Sequence, residues 1–395
     1  MRAKALEIFN AGVAAADPFD AVTAHLDTVT QPVLIIAVGK AARLMAKAAL
    51  VRFTGVPCLV VTNYENASDL DGATVMAAGH PVPDENGAAA AQAVIAALRR
   101  AGGPVLALIS GGGSALLPAP AGQLTLDDKA KVNAVLLASG LDIAAMNLVR
   151  QQLSDLKGGG FLRNAAPHPV TALILSDVIG DDLSAIASGP TVGPIGTAET
   201  AITLLKSKGL WGQIPESVKT HLETAPLPAP LPAPLPRAIN ILVGSNGKSV
   251  AAMAAKAGRA HVIATPVEGD VAEAARFICD NAGTGITVWG GETTVVLKGN
   301  GRGGRNQELA LRIAQEAAKR DWTDWVCLQG GSDGRDGPTD AAGGLVDHLT
   351  LSKIRDLDGL LANNDSYAAL AQAGDLLMTD ATGTNVADLG VMIRR

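Results

Sequence analysis

The chain has 395 residues, a formal net charge of −6 and no long basic run, a balance that argues against nucleic acid as the main partner. Hydrophobic residues make up 48% but aromatics only 3%, so the core must be mostly Ala, Val, Leu and Ile. At about 100–200 residues per domain, the length predicts two or three domains.

Met1 to Val13 carries Lys4 and Glu7 among Leu6, Ile8 and Phe9, which predicts an amphipathic helix and not a secretory signal. No apolar run approaches the roughly 20 residues of a membrane helix. Cys58, Cys279 and Cys327 lie far apart, without metal-ligand spacing. Their odd number speaks against a disulfide framework. Buried thiols in a cytoplasmic protein with no membrane partner are expected.

Val33 to Val38 predicts the first buried strand. Gly39-Lys40-Ala41-Ala42 follows and opens a helix to about Phe53. A lysine at a strand-to-helix junction points where ligands bind in open α/β sheets. The plainer alternative is a solvated lysine, although a helix start disfavours a cation. Further strands are predicted at Cys58 to Thr62, Thr74 to Ala78, Val105 to Ile109 and Val170 to Leu175. Helices are predicted at Asn86 to Arg100, Thr125 to Ala138 and Asp142 to Leu156. This alternation predicts a mainly parallel sheet with helices on both faces. His80, in Gly79-His80-Pro81, reads as a turn residue.

Ser110-Gly111-Gly112-Gly113-Ser114 follows the Val105 to Ile109 strand. Consecutive glycines help neither strand nor helix. They do let several N–H groups face one anion, with Ser110 and Ser114 as flanking hydroxyls. An ordinary turn is the alternative. After Val170 to Leu175 come Asp177, Asp181 and Asp182. Carboxylates there suit Mg²⁺, or cap the next helix, and Asp177 at the strand end is the functional choice.

Pro226 to Pro236 reads PLPAPLPAPLP, which predicts an extended spacer. Beyond it Ile239 to Val243 predicts a strand. Gly244-Ser245-Asn246-Gly247-Lys248-Ser249 imitates a P-loop, but Leu242 stands where that motif needs its first glycine. A nucleotide contact through Asn246 stays open. Ile286 to Lys298 predicts two strands broken at Gly290-Gly291. Gly299, Gly301 and Gly304 satisfy G-x-G-x-x-G before a helix at Asn306 to Lys319, so a dinucleotide reading is available. Against it, Asp324 precedes the strand Val326 to Leu328, and Arg302 and Arg305 suit a phosphate or carboxylate better. Asp333 and Asp336 alternate with glycines, as in a cation- or hydroxyl-binding loop.

Together and in order, these loops resemble the class II glycerate kinase family, the glycerate 2-kinases of the MOFRL type. The motifs are Gly39-Lys40-Ala41-Ala42, Ser110 to Leu117, Asn147-Leu148-Val149-Arg150, Lys157-Gly158-Gly159 and Ser176 to Asp181. They continue through Ala187 to Thr191, Gly290 to Val295, Gly303 to Glu308 and Thr382-Gly383-Thr384-Asn385-Val386. The resemblance departs at Asp380-Ala381, where the family usually has Gly-Pro, and in the long proline run.

The resemblance implies two α/β domains, the first Rossmann-like with a mainly parallel sheet, and an active site in the cleft between them. The expected division is 1–225, a 226–236 linker and 237–395, with the first ~30 residues packing on the second domain. It implies transfer of the γ-phosphoryl of ATP to the 2-hydroxyl of D-glycerate with Mg²⁺. A homodimer is a candidate assembly. Some members carry hydroxypyruvate reductase names, so an NAD(P)H-dependent reductase is the alternative. The expected catalytic residues are Lys40, Asp177 and Arg305. Ser110, Gly111, Gly112, Gly113, Ser114, Lys157 and Asn246 are expected at phosphate or nucleotide, and Arg150, Asn306, Glu308 and Asn385 at substrate. Asp177, Asp333 and Asp336 are the expected metal ligands.

Overall fold

A computed structural model describes residues 1–224 and 238–395; the proline spacer reading lies outside the described residues. The chain forms two compact units, Pro18–Leu175 with Asp181–Val243, and Met1–Asp17 with Ser176–Gly180 and Gly244–Arg395.

The first unit is built on a parallel sheet of β1 (Leu34–Val38), β2 (Cys58–Asn63), β3 (Ala73–Ala78), β4 (Val105–Ile109), β5 (Val170–Leu175) and β6 (Ala238–Gly244). β1 and β4 read LIIAV and VLALI, and every residue of both is buried. Continuous aliphatic strands of this kind fit a parallel sheet covered on both faces. Leu34 to Val38 pair in register with Val105 to Ile109. The strand order is β3-β2-β1-β4-β5-β6, the doubly wound order whose switch point lies between β1 and β4. Helices Leu126–Ala138, Ile143–Gln152, Ala198–Ser207 and Glu216–Thr224 form a separate aliphatic cluster around Val132, Leu136, Val149 and Leu205.

Two expectations for this unit need correction. β6 follows the proline run yet joins the first sheet as its edge, so the division of the fold does not coincide with residue 237. The helix expected over Asp142 to Leu156 ends at Gln152, where the chain turns towards Gly158 and Gly159, both at positive φ.

The second unit has β7 (Ala260–Val262), β8 (Val267–Asp270), β9 (Gly285–Thr294), β10 (Trp325–Gly331), β11 (Ala341–Asp347), β12 (Leu376–Met378) and β13 (Asp388–Arg394). β9, β13, β10, β11 and β12 are neighbours in antiparallel pairs, and β7 and β8 pair with β9 in parallel. Alternation sorts the strand side chains. Trp289, Cys327 and Met392 pack with helices Val271–Asn281 and Arg305–Lys319. Val288, Val326, Leu328 and Val391 pack with helices Arg2–Ala14 and Asn246–Ala257 on the other face.

β9 corrects the two-strand expectation, because the strand runs unbroken through Gly290 and Gly291. A Cβ on Gly290 would lie 1.9 Å from Asn246 Oδ1, so the glycine marks a close approach and not a turn. All three cysteines are buried and free. No helix among the described residues is long and apolar enough to cross a membrane.

Candidate active site

In the first unit the ends of β1 and β4 meet at the switch point. The Lys40 N–H donates to Gly111 O at 2.9 Å and the Ser110 N–H donates to Val38 O at 2.9 Å. Gly39 has φ +122°, and a Cβ there would lie 2.2 Å from Ser110 Oγ, so only glycine fits this turn. The Lys40 stem lies over Gly112, beside the His80 ring. Burial, then the Lys40 charge, lowers the His80 pKa, while Glu65 opposes this. The Lys40 ammonium makes no hydrogen bond or ion pair among the described residues.

Lys157, buried, reaches the same loop from the other side. Its Nζ donates to Ser114 O at 2.9 Å and to Ser114 Oγ at 2.8 Å. Ser114 Oγ lies 2.7 Å from Ser188 Oγ, which donates to Asn147 Oδ1 at 3.3 Å. Ala187 and Ser188 sit at φ +50° and +62°, a costly backbone for residues with a Cβ and one that clusters at functional sites. Burial, followed by the Arg150 charge, pushes the Lys157 amine down to about 7. The Arg150 guanidinium donates to Asn133 Oδ1.

In the second unit Arg305 opens helix Arg305–Lys319. Its guanidinium forks onto the buried Asp388 at 2.7 and 3.1 Å and reaches Glu292 Oε1 at 3.0 Å. Burial alone would lower the Arg305 pKa; Asp388 and Glu292 outweigh it and raise it. Glu292 is raised, first by burial, with Asp388, Asp177 and Glu268 adding like charge and Arg305 opposing. Asp177, on Ser176–Gly180, thus shares an acidic neighbourhood with Glu292. Among the described residues no group of three His, Cys, Asp or Glu side chains is placed to hold a metal ion.

Residues 4–223 match the family model described as a domain of unknown function, DUF4147, and residues 285–388 match the MOFRL family. The D-glycerate 2-kinase of Thermotoga maritima is 38% identical, with 98% of this chain and 96% of that protein covered. The crystal structure of glycerate kinase from Thermotoga maritima aligns at a TM-score of 0.92 and 37% identity, covering 100% of this chain and 99% of that one. The chain belongs to the MOFRL-type glycerate kinase family. Another relative, 37% identical over 98% of this chain and 93% of its own, comes from Agrobacterium vitis and carries a provisional hydroxypyruvate reductase name.

The family motifs do not all place their side chains where a ligand could reach them. Lys40, Gly111, Gly112, Gly113, Ser114, Lys157 and Arg150 gather around the switch point or the pocket beside it. Ser110 corrects its expected role: its buried hydroxyl donates to Val38 O and accepts from the Ala41 N–H, so it braces the turn. Both amide hydrogens of Asn246 go to Val386 O and Asp388 O, which makes it an anchor for β13. Glu308 is buried and accepts from Arg312 one turn on.

Asn306 Nδ2 donates to Asp388 Oδ1 at 2.9 Å and its Oδ1 accepts from Gln329 at 2.6 Å, which places it behind Arg305. Asn385 Oδ1 accepts the Ala387 N–H in a turn. Asp333 does the same for Arg335. Asp336 corrects its metal-ligand expectation: its carboxylate accepts the Asn306 and Gln307 N–H groups at 3.1 and 2.8 Å, capping helix Arg305–Lys319.

Glu292, Ser188, Asn147 and Asp388 join these sites although sequence reasoning gave them no role. The first three stand inside the motifs above, which was the only signal. The first part of the Gly299 to Gly304 loop is tied to the Asn363–Asp365 segment. Asn364 Oδ1 accepts the Lys298 and Gly299 N–H groups, Asn363 O accepts that of Gly301, and Asp365 accepts that of Arg302. Those amides are not free for a pyrophosphate.

Proposed function

We propose that the chain transfers the γ-phosphoryl group of ATP to the 2-hydroxyl of D-glycerate, giving 2-phosphoglycerate and ADP. The observation that carries this reading is likeness along 98% of the chain to a D-glycerate 2-kinase, at 38% identity. In the reaction the 2-hydroxyl oxygen bonds to the γ-phosphorus, the bond from that phosphorus to the ADP oxygen breaks, and the hydroxyl proton leaves to a base. Such a transfer asks the protein mainly for positioning and charge stabilisation. Lys40, with its ammonium unengaged, suits the charge on the transferring group. Arg305 keeps one N–H on each terminal nitrogen beyond its bonds to Asp388 and Glu292, which suits a glycerate carboxylate.

Asp177 and Glu292 fit Mg²⁺, which is typically held through one or two carboxylates together with water and substrate phosphates. The raised Glu292 pKa marks negative charge that a cation would neutralise. When bound, the ion would supply charge neutralisation on the phosphates. The reductase alternative draws little support from the Gly299 to Gly304 loop, because the Gly299, Asn300, Gly301 and Arg302 amides are engaged within the unit.

A coupled ADP-release assay with glycerate and with hydroxypyruvate, with product position read by NMR, tests the reading. ADP release with glycerate and phosphate on C2 are expected. NADH oxidation with hydroxypyruvate and no ADP release would overturn it, and phosphate on C3 would overturn the position. In the same assay Lys40→Met should lower kcat on the order of 100-fold or more, with an unchanged thermal melt. A near-normal kcat would remove Lys40 from the chemistry.

A further inference from the structure

Beside the Ser114 loop, and wholly inside the first unit, lies a pocket of about 450 Å³. That volume is within the roughly 300–1,000 Å³ of small-molecule sites. Its lining has two halves of different chemistry. One half is cationic. Lys129, Arg150 and Lys157 all line it, and none of them forms an ion pair with a carboxylate among the described residues. Lys129 Nζ donates to Leu153 O at 2.8 Å and Lys157 Nζ to Ser114, so both amines are pinned by neutral oxygens. Desolvated cations grouped without an ion-paired carboxylate destabilise a fold, and an anion bound among them would offset that cost.

The other half is apolar. Val82, Leu126 and Leu137 line it. Val82 is 72% exposed and Leu137 61%, so neither contributes to the core. Leu126, Lys129, Asn133 and Leu137 recur at the spacing of one face of helix Leu126–Ala138 and all line the pocket. The helix turns Val132 and Leu136 into the aliphatic cluster, so Leu137 is an apolar residue outside its core stripe.

A ligand matching both halves carries several negative charges at one end and a flat apolar body at the other. Glycerate has one carboxylate and no apolar body, so the wall would be of no use to it. We propose that this pocket is the nucleotide site, in which Lys129, Arg150 and Lys157 hold the polyphosphate of a purine nucleoside triphosphate and the Val82–Leu137 wall holds the base; this rests on the glycerate kinase reading above. Arg150 thereby moves from the substrate to the nucleotide. The electrostatics agree. Lys129 is held well below its ordinary range by burial first, then by Lys157 and Arg150, and Asp155 opposes the shift. A polyphosphate would relieve all three cations together.

Calorimetric titration of the full chain with ATP and with ADP, beside steady-state KM for both substrates, tests this. Leu137→Glu alters an exposed side chain, so it should fold and melt as the parent does. It should weaken ATP binding and raise the ATP KM at least about tenfold, leaving the glycerate KM unchanged. Lys129→Met should weaken ATP binding by a similar factor. It should also raise the ligand-free melting temperature, because one uncompensated cation is gone. Photolabelling with 2-azido-ADP should mark the Leu126–Ala138 peptide. Parental ATP affinity in both variants, or a rise confined to the glycerate KM, would overturn the assignment while leaving the kinase reading standing. Tight ATP binding lost in Leu137→Glu, in a parent that phosphorylates no glycerate, would support the pocket and sink the kinase reading.

Discussion

Lys157 shows how much one side chain can carry. Its ammonium is buried, bonded only to Ser114 oxygens and close to the Arg150 charge, so its pKa falls to about 7. In the unfolded chain the same amine returns to its ordinary value near 10.5. Between pH ~7 and ~10 the unfolded state therefore holds a proton that the folded state lacks, and stability rises with pH across that window. Thermal melts of the ligand-free protein should climb between pH 7 and 9 more steeply than those of Lys157→Met. Bound polyphosphate favours the charged amine, so ATP affinity should fall over the same interval. Parallel melting profiles for the two proteins would show that Lys157 stays charged. At this scale Lys157 was legible as a motif residue and its chemistry was not. Titration depends on burial and on Arg150, and neither is written in the residues around position 157. Ser110 gives the opposite case. Its place beside three glycines suggested a ligand, but the hydroxyl faces the β1 turn.

At the scale of elements, the sharpest lesson lies at the start of helix Arg305–Lys319. Gly304 precedes it and offers no side-chain cap. The cap comes from Asp336, thirty positions along the chain, whose two oxygens accept the Asn306 and Gln307 N–H groups. An acidic group there also complements the helix dipole. Burial raises Asp336 to about 6, with Asp388 adding to the rise, so the carboxylate is held against a desolvation cost. Asp336→Ala leaves buried N–H groups without partners, which costs about 1–3 kcal/mol. The expected result is a melting temperature lower by a few degrees. Because Arg305 and Asn306 stand on that first turn, kcat should fall as well. An unchanged melt would show that water or a neighbour replaces the cap. In sequence, glycines alternating with carboxylates suggested a cation loop because local spacing cannot reveal a partner thirty residues away. The strands were easier to read. Val105 to Ile109 and Val170 to Leu175 match β4 and β5 because continuous aliphatic runs have one reading in a parallel sheet. β11, β12 and β13 were missed: AAGGLVD lacks an apolar run, β12 is only three residues long, and no helix separates β13 from β12.

At the scale of the molecule, neither unit is a continuous stretch of chain. The unit that contains the MOFRL match also takes in Met1–Asp17 from the far end of the sequence. The reason is the second face of its sheet. Ala5, Ile8 and Phe9 of helix Arg2–Ala14 cover Val326, Leu328, Leu389 and Val391 together with Met253. A Cβ on Gly12 would lie 2.6 Å from Met253 Cγ, so the two helices touch at that glycine. Arg2 ties the helix start to Asp347 and Asp375 at 2.5 and 2.6 Å. A fragment of residues 244–395 keeps the strands but loses this cover and exposes a contiguous apolar face. Such a patch favours association or a loosely packed state. The fragment should therefore bind a hydrophobic dye and melt without a cooperative transition. Joining residues 1–17 to it through a flexible glycine-serine linker should restore a single sharp melt. A cooperative transition in the bare fragment would mean that helix Arg2–Ala14 only adds to a core that is already sufficient, and that the order of elements in this fold is not dictated by the need to cover that face.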